Sequence, residues 1–107
     1  MSESTLDGLL AERAGGLEDV ELHAVGSASE VRVGATLVAV LAPGSLEVAL
    51  RPAVAAAALR TPDVEPSPRG RGWIRFVPAA LDDFARDRAI AWLESAVRLA
   101  TEGDGPG

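Results

Sequence analysis

Apolar and polar positions change period three times along the chain. Leu6, Leu9 and Leu10 recur at helical spacing and share one face. Ser4-Thr5-Leu6-Asp7 has the form of a capping box, in which a hydroxyl and a carboxylate three residues later satisfy free amides at a helix start. Gly15-Gly16 stops this helix, because glycine accepts the left-handed conformation of a C-terminal cap. From Asp19 the period is two. Val20, Leu22 and Ala24 alternate with Glu21 and His23, Val31 and Val33 with Glu30 and Arg32, and Leu46, Val48 and Leu50 with Glu47 and Arg51. Gly26-Ser27, Gly34-Ala35 and Pro43-Gly44 separate these runs at hairpin spacing. Four strands in an antiparallel meander follow, with residues 36–41, apolar on both faces, as the central strand.

Pro52 suits the first turn of a helix, and the alanine-rich run to Leu59 continues it. Residues 61–72 hold Pro62, Pro66 and Pro68 with Gly70 and Gly72, which predicts a surface loop. Trp73-Ile74-Arg75-Phe76-Val77 reads as a fifth strand, with either Ile74 and Val77 or Trp73 and Phe76 inward. Pro78 and the pair Asp82-Asp83 mark the start of a last helix over 79–100, since exposed amides favour negative charge there. Leu81, Ala85, Ala89, Trp92, Leu93, Ala96, Leu99 and Ala100 fall on one broad arc of it. The expected fold is α+β: two layers, a curved antiparallel sheet of about five strands backed by helices. It forms one domain over 1–100 with a flexible tail over 101–107.

Composition narrows the chemistry. The 107 residues contain no Cys, Tyr, Lys, Asn or Gln, so thiolate nucleophiles, disulfides and Cys-based zinc sites are excluded. Ten basic residues, all Arg, face sixteen acids for a net charge of −6, which argues against binding nucleic acid through broad basic charge. The apolar stretch 35–42 is far shorter than the ~20 residues of a membrane-spanning helix, and no basic segment precedes an apolar run at the N-terminus. A cytoplasmic protein without membrane contact is the expectation.

His23, the single imidazole, sits beside Glu21 on a polar strand face and reads as a solvated residue, not a base or metal ligand. Asp82, Asp83 and Asp87 read as helix stabilisation, because neighbours on a helix point about 100° apart and do not form a carboxylate pair. No Gly-x-Ser-x-Gly elbow surrounds Ser27, Ser29, Ser45 or Ser67, and Gly70-Arg71-Gly72 precedes a strand, not the helix that a phosphate loop opens. No catalytic residue, metal site or cofactor is expected.

Charge asymmetry is what remains. Arg51, Arg60, Arg69, Arg71 and Arg75 face only Asp63 and Glu65, a local balance of +3 on a remainder of −9. Arg69, Arg71 and Arg75 with Trp73 can form an anion- or partner-binding edge, since a guanidinium fork pairs with carboxylates and stacks on aromatic rings. The alternative is pairing with the protein's own acids. Arg88 falls inside the apolar arc of the last helix, where a bare charge is costly, and either reaches water, pairs with Asp87, Glu47 or Glu30, or clamps a ligand.

Leu46-Glu-Val-Ala-Leu-Arg-Pro52, the short helix, the proline-rich loop, Gly72-Trp-Ile-Arg-Phe76 and the helix containing Trp92-Leu-Glu-Ser-Ala96 are similar in order to the MmcQ/YjbR-like proteins. They also look like small actinobacterial proteins described as luciferase-domain or YjbR-like. The resemblance spans roughly 19–100 and implies a curved sheet backed by helices, with no catalytic residues to carry over. The expectation is therefore a non-enzymatic binding module engaging a protein partner or a second copy of itself through Arg69, Arg71, Trp73, Arg75 and Arg88. The alternative is a small-ligand or nucleic-acid binder using the sheet face around Trp73 and Trp92.

Overall fold

Every period-two run becomes a strand, and every two-residue break becomes a hairpin turn. The computed structural model describes residues 5–103. Its order is α1 (Leu6–Gly15), β1 (Val20–Val25), β2 (Ala28–Val33), β3 (Thr36–Ala42), β4 (Ser45–Ala49), α2 (Pro52–Ala58), β5 (Val64–Pro66), β6 (Trp73–Phe76) and α3 (Asp83–Gly103). The strands form one antiparallel sheet in the order β1-β2-β3-β4-β6-β5. This is the expected α+β class, with six strands where five were read.

The added strand lies in the proline-rich segment. Val64, Glu65 and Pro66 pair with Phe76, Arg75 and Ile74, and an outer strand tolerates proline because one side of its backbone needs no donor. Asp63 turns the chain into it at φ 70°, and its Oδ2 accepts the Ala79 N–H at 3.1 Å. α3 starts at Asp83 and not at Ala79, with the Asp82 carboxylate accepting the Ala85 N–H at 2.8 Å as its cap. At its other end α3 runs through Gly103, so residues 101–103, assigned to the tail, are helical. Thr5 caps α1 by accepting the Gly8 N–H at 3.1 Å; Ser4, read as part of that cap, lies outside the described residues.

Strand alternation divides the sheet into two faces. Val31, Ala39, Val48 and Ile74 form one cross-strand row and Leu41, Leu46 and Phe76 another, and all are buried against Leu6, Leu10 and Ala14 of α1, Ala55 and Ala58 of α2, and Ala85, Ala89, Trp92, Leu93, Ala96 and Val97 of α3. In β6 the inward pair is Ile74 with Phe76, which corrects both pairings read from the sequence: residues two apart share a face, and Val77 is exposed. Trp92 meets Phe76 edge to face, ring centroids 5.1 Å apart. Between β2 and β3 the register shifts by one residue at Val38, a bulge that buries both Val38 and Ala39 and accounts for the continuous apolar run of this strand.

Candidate functional site

The sheet face away from the helices carries one polar row across all six strands. Glu65, Arg75, Glu47, Val40, Glu30 and His23 stand opposite one another in register. Val40 is buried yet stands apart from the main core, between Glu30 and Glu47 in register. Glu30 accepts Arg32 at 2.9 Å and Glu21 meets His23 at 3.1 Å, each pair on one strand and two residues apart, hence on the same face.

Glu47 is the centre of this row. The segment between β5 and β6 folds over it, bringing the Ser67 hydroxyl to Glu47 Oε2 at 2.7 Å and Arg69 Nε to Oε1 at 2.9 Å. Burial works to raise the Glu47 pKa, but hydrogen bonds from Ser67 and Arg69 and the charges of Arg69 and Arg75 outweigh it, so the carboxyl titrates below its ordinary 4.5. A depressed folded-state pKa stabilises the fold at pH above the unfolded value, and that contribution is lost as pH falls through the folded one. Glu47→Gln should therefore cost roughly 1–2 kcal/mol at pH 7. In chemical denaturation the gap to the wild type should narrow steadily below about pH 4; a gap independent of pH would refute this account.

The expected Arg-rich edge is now resolved residue by residue. Arg69 is held by Glu47 and lies over the Trp73 ring, 5.8 Å from its centroid. Arg75 pairs with Glu65 at 3.2 Å, and Arg51 pairs with Glu102. Arg71 is exposed and, among the described residues, has no carboxylate within 4 Å; the same holds for Arg60. Three of the five cations of the +3 segment are thus engaged by the chain's own acids, and the pairing alternative holds at Arg51, Arg69 and Arg75. The exposed pairs among them contribute little, on the order of 0–1 kcal/mol each. Trp73 and Trp92 do not share a surface: Trp73 stands on the polar face beside Arg69, whereas Trp92 is in the core beneath the opposite face.

Arg88 departs from the pairing expected of it. No carboxylate approaches it within 4 Å among the described residues, so Asp87, Glu47 and Glu30 are not its partners. Instead its guanidinium lies 4.2 Å from the Phe84 ring centroid, one helical turn away. Its Nε is the one buried side-chain nitrogen or oxygen without a hydrogen-bond partner among the described residues. Such an orphan costs about 1–3 kcal/mol. Arg88 lines a cavity of about 220 Å³ with Asp63, Asp82, Pro62, Pro78 and Phe76. The sequence placed Arg88 in the apolar arc but gave no sign of Asp63, which joins the cavity only through the β5–β6 pairing. Phe84, four residues before Arg88, was the legible partner.

Comparisons add no relative. No protein-family model, no curated protein and no solved structure matches the chain. Among the described residues no cluster of His, Asp or Glu is arranged to hold a metal ion, and no helix is long and apolar enough to cross a membrane.

Proposed function

We propose that the protein is a non-enzymatic interaction module that pairs with a second copy of itself through the open edge of β1. The observation that supports this reading is the contrast between the two sheet margins. β5 is three residues long and ends in Pro66, whereas β1 offers six residues without proline, and Leu22 and Val25 on it are exposed. An unblocked strand of that length is a template for another strand. Kinship with the MmcQ/YjbR-like proteins belongs to the same proposal and rests on element order and the Gly72-Trp73 strand start.

The hairpin limits the registers open to such a pair. Val25 and Ala28 close a two-residue turn, so Val25, His23 and Glu21 spend their backbone groups on β2, while those of Ala24, Leu22 and Val20 point outward. Two copies related by a twofold axis engage all three of these residues when they pair antiparallel about Leu22. Leu22 faces Leu22, Val20 faces Ala24, and Glu21 faces His23 of the second copy, placing a carboxylate opposite an imidazole on each side of the axis. Light scattering after size-exclusion chromatography should give a dimer for the wild type and a monomer for Leu22→Lys, whose charge at the axis is repeated by the twofold. The variant should keep its melting temperature within a few degrees, because Leu22 is exposed in the single chain. A wild type that stays monomeric at roughly 1 mM overturns the proposal.

A further inference from the structure

We infer that the cavity at the start of α3 binds a small zwitterion with an apolar body, of the class of the apolar α-amino acids. Three features of its lining converge on that chemistry. The first is Arg88, whose Nε is buried and unpartnered and whose guanidinium has no carboxylate within 4 Å among the described residues. A planar fork of N–H donors without an acceptor is complementary to a carboxylate, which takes two of them side by side.

The second is the pair Asp63 and Asp82. Each uses one oxygen to accept a backbone N–H, from Ala79 and Ala85 respectively, and neither forms a salt bridge among the described residues. With Arg88 they leave the lining at a net charge of −1, which repels a plain anion. A ligand that carries an ammonium beside its carboxylate satisfies both signs at once. The third is the rest of the wall, which apart from Thr61 is apolar and is dominated by Pro62, Phe76, Pro78 and Phe84. At about 220 Å³ the cavity lies below the roughly 300–1,000 Å³ of sites for drug-sized molecules, so the ligand is small.

Phe84 supplies the entrance. It is 64% exposed, the most exposed large hydrophobic residue described, and it covers the guanidinium face. Its ring lies over the guanidinium at the rim of the cavity, where it can pack against a bound aliphatic group. This site lies on the opposite margin of the molecule from β1, which is separated from β6 by three strands, so its occupancy and the pairing of copies are separate questions.

Heteronuclear NMR titration with L-leucine tests the inference, read at the backbone amides of Ala79, Ala85 and Phe84 and at the Arg88 Nε–H. Leucine should shift all four. Isocaproate, which lacks the ammonium, and isoamylamine, which lacks the carboxylate, should each bind at least tenfold more weakly. Arg88→Gln should lose leucine binding. Asp63→Asn should weaken it several-fold while keeping the fold, because asparagine tolerates the left-handed backbone of residue 63 and its amide oxygen still accepts the Ala79 N–H. No shift at roughly 20 mM leucine overturns the inference. So does isocaproate binding as tightly as leucine, or a folded Arg88→Gln variant that binds like the wild type.

Discussion

Gly72→Ala should lower the melting temperature by roughly 12–20 °C, corresponding to about 3 kcal/mol in a domain of this size. Two costs fall on the same methyl group. Gly72 sits at φ 83°, where an L-residue with a side chain is strained, and a Cβ built there would lie 2.6 Å from the Leu50 carbonyl oxygen. The obstacle is backbone, so it cannot swing away. Relief would require separating residue 72 from residue 50, and Gly72 O accepts the Leu50 N–H at 2.9 Å. That bond ties the entry of β6 to the end of β4. Thermal unfolding followed by circular dichroism measures the change; a shift below about 4 °C, the equivalent of 1 kcal/mol, would show that the β6 entry can relax.

Leu46→Ala should cost about 3–4 kcal/mol in urea denaturation. Leu46 is fully buried and stands between Leu41 and Phe76 in register, and Phe76 in turn supports Trp92 of α3. Truncation removes apolar contact and leaves a void beneath the aromatic pair, which the rigid backbone ladders on both sides cannot close. Leu22→Ala, the same chemistry at an exposed position, provides the contrast, with an expected change within about 0.5 kcal/mol for the single chain. Comparable losses at the two positions would mean that the core lies elsewhere.

Much of the fold was legible in the sequence, and the reason is local. The meander from β1 to β4 combines period-two alternation with Gly26, Gly34 and Gly44, all at positive φ in two-residue turns, so pattern and turn chemistry agree at each step. β5 was not legible because three residues ending in proline carry almost no strand signal; what makes Val64–Pro66 a strand is β6 beside it. The start of α3 was misplaced for a related reason. Pro78 is a good first-turn residue in isolation, but in the fold Val77 and Ala79 on either side of it both donate to the distant Asp63, and the helix begins only after the Asp82 cap.

The candidate site divides along the same line. Arg69 and Arg75 stood out as charges, yet their partners Glu47 and Glu65 became neighbours only through the β4-β6-β5 register. Trp73 and Trp92 looked like one aromatic surface because both are large; strand alternation and helix packing send them to different layers. Arg88 was legible as an anomaly, since a helical arc is computable from spacing alone, whereas its lack of a carboxylate depends on where every other acid ends up.

The unequal margins of the sheet also govern how far strand addition can run. A ribbon grows without limit only when each unit mates at both sides, and here the short β5 with its terminal Pro66 makes one side sterile. In the proposed pairing the molecule would have a valence of one: joining two copies would consume the β1 border, and the same proline that hid the sixth strand would guard the chain against polymerising into filaments.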